Sequence, residues 1–473
     1  MPSIGKSPIM LGISRTLPYN RGKGETMIRR YLKQTGILVL CTLLLSGCGE
    51  KKPLPEVPGE VSAEAEIPAL SEKTEHIGEN RGEQETTTGT NLTLTQETTP
   101  ETSPAAEQET TPETFPAAEQ ETTSEPTPSP LPEMTLVMVG DVLLHTPLAQ
   151  SGETPDGGYD FTALFTNVKE EIEEADLALV NQEVIIGGSE LGISGYPAFN
   201  APYELGDALA DSGFDVILHG TNHALDKGKR GLLNCLAFWK ENYPEKAVLG
   251  IHDSAEDGEE IYVYEQDGIH IAVLNYTYGT NGIPLPEDMP YGVDMLEEDR
   301  VIRDLQRAEE MADFTVVCPH WGTEYTLSET KTQKRWAELF AENGADLVIG
   351  THPHVIEPVA WVEDTLVYYS LGNFANWTSG TGEGVANRMV GGMAKVTIGM
   401  EEDGEVGIID WGVEPLVCHL EQGFGGVTVY PLEEYTEELA EKNEIVKQDG
   451  NFSLDYCLEL VESVFGETAE RTD

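Results

Sequence analysis

Five short apolar segments of this chain each end in polar residues that can bind a metal ion or a phosphate. An apolar run followed by such residues is typical of a buried strand that carries a functional site at its carboxyl end. The five segments are 136–141 (LVMVGD), 177–183 (LALVNQE), 216–223 (VILHGTNH), 316–324 (VVCPHWGTE) and 348–355 (VIGTHPHV). One such segment would mean little, but five in one chain predict a shared site at the edge of a sheet.

Helical patterns alternate with these runs and with further apolar runs at 271–274 and 365–369. The clearest predicted helices cover residues 162–175, 203–212, 229–242, 297–312 and 329–343. Alternation on this scale predicts an α/β fold in which helices cover layered β-sheets. Residues 393–417 show strand-like alternation with a turn at Asp403-Gly404, which predicts a closing hairpin or a second sheet. We therefore assign 133–420 to one folded domain and 421–473 to an acidic, partly helical tail.

The start of the chain has the layout of a secretory signal peptide. Residues 27–47 begin with Met-Ile-Arg-Arg, continue into an apolar centre at 36–45 and end in Leu-Ser-Gly before Cys48. Leu-Ser-Gly-Cys resembles the bacterial lipobox, in which the cysteine is lipidated, so Cys48 is the predicted anchor. An uncleaved anchor is the alternative, although this centre is shorter than the roughly 20 residues that a spanning helix needs. Residues 1–26 are predicted to lie upstream of the true start at Met27.

Residues 48–132 are dominated by Glu, Thr, Pro and Ala. A 12-residue unit occurs at 96–107 (QETTPETSPAAE) and again at 108–119 (QETTPETFPAAE). Such a tract buries too little apolar surface to offset chain entropy, so it predicts a disordered stalk. The stalk would hold the folded domain away from a lipid anchor, and a wall-binding or glycosylated repeat is the open alternative.

Composition narrows the range of partners. The chain has a formal net charge of -56, which repels nucleic acid and anionic membrane surfaces, so neither is an expected partner of the mature protein. The same charge concentrates cations near the surface, which suits a metal-dependent protein. The six cysteines are scattered without a CxxC pair, which argues against a zinc ribbon or a disulfide framework.

The first two segments supply carboxylates. Asp141 is a candidate metal ligand, although in isolation a helix cap or a turn is the commoner role for such an Asp. His145 reaches the same site if a turn follows Asp141, and is otherwise a surface histidine. Glu183 supplies a second carboxylate ligand and Asn181 an amide oxygen, unless both belong to an ordinary polar loop.

The third segment carries the candidate catalytic pair. Asn222 offers an amide oxygen to a metal, and His223 beside it can donate a proton to a leaving group or stabilise phosphoryl charge. Asp226 is placed in sequence to orient the His223 imidazole. His219 precedes Gly220 within the strand and is predicted to be a buried core residue.

The remaining candidates follow the later strands. His320 is a candidate ligand, Trp321 a wall of the pocket, and Glu324 a support for a ligand or a base; a histidine packed under a tryptophan is the alternative. Asn373, within YSLGNF at 369–374, is predicted to hold a ligand histidine or the substrate, or else to stabilise a turn.

The order of Asp, Glu, Asn-His, His and His-x-His is what a two-metal phosphoesterase requires. One predicted ion binds Asp141 and His354. The other binds Asn222, His320 and His352, with a carboxylate between the two ions. Two ions about 4 Å apart lower the pKa of a bridging water and neutralise a phosphate. The predicted cofactor is therefore a pair of divalent ions, manganese, iron or zinc.

Together these motifs resemble those of the CapA family, bacterial proteins of poly-γ-glutamate capsule synthesis whose domain is related to the calcineurin-like metallophosphatases. The matching motifs are GD (140–141), NQE (181–183), FNAP (199–202), TNHALDKG (221–228), HWGTE (320–324), THPHV (351–355) and YSLGNF (369–374). The family usually has NLE and NNH where this chain has NQE and TNH. Related phosphatases have Asp-x-His, whereas here His145 lies four residues after Asp141.

The resemblance implies a metallophosphatase-like domain on a lipid-anchored protein at the extracellular face of the bacterial membrane. It implies a role in the synthesis, transport or anchoring of an anionic capsule polymer, with phosphoesterase-like hydrolysis in which His223 is the general acid. The expected partners are that polymer or the subunits of its membrane synthase. A non-catalytic accessory subunit and a general surface phosphoesterase are the alternatives.

Overall fold

The computed structural model of the chain describes residues 131–377, 380–423 and 425–466. The predicted upstream extension at 1–26, the signal peptide at 27–47, Cys48 and nearly all of the stalk at 48–132 lie outside these residues. Within the described part, no helix is both long enough and apolar enough to cross a membrane.

Two sheets organise the described residues. The first contains β1 (Glu133–Val142), β2 (Leu177–Asn181), β3 (Val216–Leu218), β4 (Ala247–Leu249), β11 (Asn373–Ala375), β12 (Val390–Met400), β13 (Val406–Leu420) and β14 (Val427–Pro431). The second contains β5 (Tyr262–Gln266), β6 (Ile269–Thr277), β7 (Phe314–His320), β8 (Leu347–Ile349), β9 (Ile356–Val362) and β10 (Thr365–Leu371).

Each sheet has a parallel part, and antiparallel strands lie at one or both of its edges. The first has the order β14-β13-β12-β1-β2-β3-β4, with β11 paired to the end of β1. Strands β1 to β4 are parallel, and β12 to β14 are antiparallel. The second has the order β5-β6-β7-β8-β10-β9, in which β6, β7, β8 and β10 are parallel.

Helices follow most of the parallel strands. They are α1 (Thr146–Ser151), α2 (Lys169–Glu174), α3 (Tyr203–Asp211), α4 (Gly228–Asn242), α5 (Glu298–Met311), α6 (Lys331–Glu342), α7 (Glu437–Lys442) and α8 (Leu454–Phe465). Helix α6 begins with a capping box, because Thr330 accepts from the Gln333 backbone N–H and Gln333 reaches back to the Thr330 backbone.

The main core lies between the two sheets. The sulfur of Cys318 in β7 lies 3.8 Å from that of Met138 in β1, and the Tyr368 hydroxyl of β10 donates to the Gly412 carbonyl of β13. A second core covers the other face of the second sheet, where α5 contributes Leu305 and α6 contributes Phe340. The predicted α/β class, with layered sheets covered by helices, is confirmed.

Strands β3 and β8 lie at the apolar starts of the segments 216–223 and 348–355, as expected, but two regions differ from the sequence-based expectation. The helix predicted at 162–175 is reduced to a short 3-10 helix at Thr162–Leu164 and α2, and between them the Asn167 side chain donates to the Val429 carbonyl of β14. The first sheet also continues past residue 420 through β14, whose alternate residues are buried, so the boundary drawn there falls within the sheet.

Candidate metal centre

The carboxyl ends of parallel strands from both sheets meet at one buried site. Strands β1, β2 and β3 bring residues from the first sheet, and β7 and β8 bring residues from the second. The side chains that converge there are Asp141, Asn181, Glu183, Asn222, His223, His320, His352, His354 and Asn373, all buried. The structure therefore brings together the predicted ligands from distant parts of the chain.

Two glycines allow the strand ends to approach closely. A Cβ atom on Gly140 would lie 2.0 Å from the Gly372 carbonyl oxygen, and one on Gly350 would lie 2.2 Å from the Tyr369 carbonyl oxygen. Neither position accepts a side chain without a backbone shift. The Asp141 backbone N–H consequently donates to the Gly372 oxygen at 3.0 Å, which places the carboxylate inside the site.

The turn after β8 presents both of its histidines to the site. His352 and His354 have positive φ angles of 98° and 59°, an uncommon backbone conformation for residues other than glycine. Backbone strain of this kind persists where the surrounding structure holds it, and it is concentrated at functional sites. The two ring centroids lie 5.8 Å apart, and both rings are buried.

Glu183 stands between two groups of candidate ligands. The ligand atoms of Asp141, Glu183 and His354 lie within 4.8 Å of one another, as do those of Glu183, His320 and His352. One Glu183 oxygen lies 3.7 Å from His354 Nδ1, and the other lies 3.7 Å from His320 Nε2. Among the described residues neither oxygen has a hydrogen-bond partner, so this carboxylate is placed to be shared by both groups.

His320 is oriented by its neighbours. Its Nδ1 lies 2.9 Å from the Thr351 hydroxyl, and its Nε2 lies 2.9 Å from Asn222 Oδ1. If Nδ1–H donates to Thr351, Nε2 carries the lone pair that a metal ligand needs. Its distance from the Asn222 oxygen suits neighbouring ligands of an ion bound at about 2.1 Å.

Asp141 and His354 are also held by amide side chains. Asn181 Nδ2 donates to Asp141 Oδ1 at 2.8 Å, and the Asn373 Oδ1 lies 3.1 Å from His354 Nδ1. The same His354 nitrogen lies 3.2 Å from Asp141 Oδ2. Asn181 and Asn373 therefore fix the directions of one carboxylate and one imidazole.

Burial and mutual charge perturb these groups strongly. Burial, followed by the charge of Glu183, raises the pKa of Asp141 above its usual range. Burial alone would also raise the pKa of Glu183, but the charges of His354 and His320 hold it below its usual range. Burial would lower the pKa of His354, yet the Glu183 charge and the Asp141 hydrogen bond raise it to about 9. The protein alone therefore holds a proton on His354 between two carboxylates.

The residues fit a divalent cation. Burial and the neighbouring charges of His320 and His354 lower the pKa of His352, so its imidazole is neutral and can act as a ligand. In the part of the chain that the structure describes, the buried polar atoms without hydrogen-bond partners include both Glu183 oxygens, Asn181 Oδ1 and His352 Nδ1. Leaving such atoms unsatisfied is costly, and a cation among them would satisfy several at once. The site therefore has the donor set of a divalent-metal centre, with carboxylate, imidazole and amide ligands.

His223 and Asp226 form a pair beside these ligands. His223 Nδ1 lies 2.7 Å from Asp226 Oδ2, and its Nε2 lies 3.9 Å from Glu183 Oε1. Asp226 is fixed by the Phe199 backbone N–H, which donates to it at 2.7 Å, while the Phe199 ring packs edge-on against the His223 ring. The imidazole thus presents Nε2 to the site.

Two predicted residues lie elsewhere. Trp321, expected to line the pocket, packs against Phe340 in the second core and donates to the Tyr369 carbonyl at 2.9 Å. Neighbouring residues in an extended chain point to opposite faces, so Trp321 points away from the site because His320 points into it. Glu324 is exposed at the rim, where its charge contributes to the raised pKa of His354.

Several site residues were not predicted. Asn281, in the loop after β6, lies within hydrogen-bond distance of both Asn222 and His223. The Arg388 guanidinium lies over the Tyr325 ring at the rim. No sequence pattern marks these loop residues, whereas Thr351 could have been found from its place beside the two histidines. The sequence left open whether His145 reaches the site. In the structure, burial and then the charge of His354 lower the pKa of His145 to about 4, so it lies close to the ligands.

Two proteins with sequences similar to this chain come from Bacillus species. The PGA biosynthesis protein CapA of Bacillus subtilis (strain 168) is 34% identical over 176 residues, which cover 36% of this chain and 45% of that protein. The capsule biosynthesis protein CapA of Bacillus anthracis is 28% identical over 187 residues, 38% of this chain and 45% of that protein. The matches thus span about half the length of these relatives.

Two of the solved structures that are similar to this chain are named as a nucleotidase and a phosphatase. A putative 5'-nucleotidase from Staphylococcus aureus has a TM-score of 0.40 and 18% identity, covering 60% of this chain and 54% of that one. A phosphatase from Mycoplasma pneumoniae has a TM-score of 0.37 and 15% identity, covering 61% of this chain and 94% of that one.

A family model also matches the folded part of the chain. The model of the bacterial capsule synthesis protein PGA_cap matches residues 135–378, from β1 to just beyond β11, and includes every candidate ligand. Because this match covers slightly more than half of the chain, the protein belongs to the bacterial capsule synthesis protein family PGA_cap.

Proposed function

We propose that this protein is a metal-dependent hydrolase of the phosphoesterase type that acts in the synthesis, transport or anchoring of an anionic capsule polymer of the poly-γ-glutamate kind. Family membership supports the capsule role. The observation that supports a hydrolase is the position of Glu183, whose two oxygens lack hydrogen-bond partners within the described ranges and face two separate groups of candidate ligands.

The proposed cofactor is a pair of divalent ions, manganese, iron or zinc, and Glu183 belongs to both of the ligand groups that would hold them. One position is formed by Asp141 and His354. The other is formed by His320 and His352 together with Asn222. Such ions supply a water of lowered pKa and neutralise the charge of a bound phosphoryl group.

The chain's own residues provide the proton for the leaving group. Asp226 accepts the Nδ1 proton of His223 and so keeps the Nε2 edge turned toward the ligands. Because Nε2 lies 3.9 Å from Glu183 Oε1, a proton on it would face a phosphoester bound beside Glu183. His223 is therefore the proposed general acid, and Asp226 its positioning residue.

We also propose that the mature protein is attached to the outer face of the membrane through a lipid on Cys48, with residues 48–132 as a spacer. This attachment would place the folded domain near newly exported polymer and near the subunits of a membrane synthase. The signal layout and the Leu-Ser-Gly-Cys sequence support this part of the proposal. Radiolabelled palmitate incorporated into the wild-type protein but not into a Cys48→Ser variant would test it.

The hydrolase is tested with full-length protein purified in detergent without chelator. Metal content is measured by mass spectrometry, and turnover of p-nitrophenyl phosphate and bis(p-nitrophenyl) phosphate is measured with added manganese. The variants are Glu183→Gln, His223→Asn and, as a control, His270→Asn. His270 forms a comparable pair with Asp313 at 2.9 Å, but at the start of β6, away from the site.

We expect Glu183→Gln to lose both metal and turnover. His223→Asn should keep its metal while turnover falls by about 100-fold or more, since general acid catalysis contributes that much. His270→Asn should behave as wild type. Bound metal without turnover of either ester would contradict the hydrolase and favour a non-catalytic accessory subunit, whereas full metal content in Glu183→Gln would contradict the proposed centre itself.

A further inference from the structure

A positively charged side chain lies at the rim of this acidic centre. The guanidinium carbon of Arg388 lies 3.5 Å from the centroid of the Tyr325 ring, and that ring lies 6.0 Å from the His354 ring. The guanidinium is therefore no farther from His354 than the sum of these two distances. Arg388 lies in the segment Val385–Met389 that leads into β12, outside every motif that predicted the site.

The structure holds this pair in place from both sides. The Tyr325 backbone N–H donates to the Pro353 carbonyl, inside the turn that carries the two ligand histidines, at 2.8 Å. On the other side, Asn373 Nδ2 donates to the Arg388 carbonyl at 3.0 Å, while Asn373 Oδ1 contacts the His354 ring. Both residues are thus fixed relative to His354 by backbone contacts, which lowers the entropy cost of using them to bind a ligand.

The geometry of the stack leaves a defined recognition element. A guanidinium that stacks on an aromatic ring through its face donates hydrogen bonds from its edge, and that edge matches a carboxylate or a phosphate. Tyr325 is 48% exposed and Arg388 is half-buried, so the stacked pair lies at the protein surface beside His354. The charge of Arg388 also acts into the site, because it is among the causes that lower the pKa of His145.

Electrostatics gives the pair a role. The two proposed ions outweigh the charges of Asp141, Glu183 and Asp226, so the loaded centre would attract one anionic group of a substrate. Arg388 adds a fixed positive charge beside that centre, which offsets the nearby Glu324 and favours a second anionic group at one position.

We propose that Arg388, stacked on Tyr325, is a specificity-determining residue that binds a second anionic group of the substrate, a carboxylate or a phosphate. This rests on the proposed function, because the first anionic group is the phosphoester at the ligand cluster. The preferred substrate is therefore a molecule with two anionic groups whose separation does not exceed the span from His354 to Arg388, rather than a simple phosphoester.

Binding of matched alkylphosphonates tests this without requiring turnover. The probes are propylphosphonate, 3-phosphonopropanoate and propane-1,3-bisphosphonate, with five-carbon counterparts of each. Dissociation constants are measured by calorimetry on full-length, manganese-loaded protein in detergent. The variants are Arg388→Gln and, as a control, Arg335→Gln, because Arg335 pairs with Glu298 on a distant exposed helix surface.

We expect wild-type protein to bind at least one doubly anionic probe about tenfold more tightly than the matched single anion, the gain of one hydrogen-bonded charge pair. Arg388→Gln should lose that preference and keep its affinity for propylphosphonate, and an unchanged metal content would show that the centre is intact. Arg335→Gln should retain the preference. Whether the carboxylate or the phosphonate probes gain affinity identifies the second anionic group.

Equal affinity for single and double anions in the wild type would overturn the proposal, and so would a preference that survives in Arg388→Gln. The result of this binding experiment can be distinguished from the result of the turnover experiment that tests the proposed hydrolase. A preference that depends on Arg388, found together with no turnover of p-nitrophenyl esters, would support the anion subsite and contradict the hydrolase. Tyr325→Phe should keep the preference and Tyr325→Leu should weaken it, because only the ring stacks on the guanidinium.

Discussion

Glu357 provides a test of how burial controls stability next to the site. It lies on β9, three residues after the ligand turn, and its side chain is fully buried. One carboxyl oxygen accepts a hydrogen bond from Gln333 at 2.5 Å, and the other has no partner among the described residues. Burial raises the pKa of this carboxyl from 4.5 to about 8, so it is largely protonated in the folded protein at neutral pH.

The sign of the pH effect follows from this pKa. The pKa of Glu357 is higher in the folded protein than in the unfolded chain. The contribution of protonated Glu357 to the free energy of unfolding is therefore complete below pH 4.5 and is lost as the pH rises through about 8. At about 1.4 kcal/mol for each pH unit, the loss across this window approaches about 5 kcal/mol. Glu357→Gln removes the titration but keeps the size of the side chain and an oxygen that can accept from Gln333.

The assay is urea unfolding of wild type and Glu357→Gln at pH 4.5, 6, 7 and 8, with a chelator present so that metal binding adds no pH dependence. We expect similar unfolding free energies at pH 4.5 and a growing advantage of the variant toward pH 8. Comparison of two chains at each pH cancels the other titrating groups. Glu402→Gln, at an exposed glutamate in the β12–β13 turn, is the control and should match wild type throughout. A difference between Glu357→Gln and wild type that is constant with pH would refute the reasoning.

Three further predictions concern the site and the core. Gly140→Ala should lower the unfolding free energy by about 1–3 kcal/mol, because its Cβ would meet the Gly372 carbonyl; Gly407→Ala, where nothing lies within 4 Å, should have little effect in the same urea titration. Thr351→Val should weaken metal affinity about 10- to 100-fold, because His320 loses its orienting hydroxyl, whereas Thr351→Ser should bind metal normally by calorimetry. The buried thiols of Cys235, Cys318, Cys418 and Cys457 should react with maleimide only after unfolding. Mass spectrometry of peptides from labelled native protein checks this, and a label on any of the four would contradict it.

Local pattern was sufficient to predict the class of fold. The apolar runs at β3 and β8 match the observed strands because a short buried strand is recognisable from its own residues and their flanking glycines. Local pattern was also sufficient to name the ligand candidates, since polar residues directly after such strands lie at the sheet edge whatever the order of the strands.

The local sequence pattern predicted the structure less well where the direction of a side chain or the pairing of distant strands was decisive. Trp321 was assigned to the pocket because it follows His320, although alternation along an extended chain was enough to place it on the opposite face. The pairing of β14 with β13 was missed because a five-residue strand carries little signal without its partner.

The chain by itself thus determined the class of fold and the chemical types available to the centre, because both depend on residues adjacent in sequence. Only the tertiary structure decided that Glu183 lies between two ligand groups and that Asn281 reaches both Asn222 and His223. It also decided that the Arg388 guanidinium lies over the Tyr325 ring at the rim of the site. These arrangements join residues far apart in the chain, and the packing of two sheets, not any local preference, sets the distances between them.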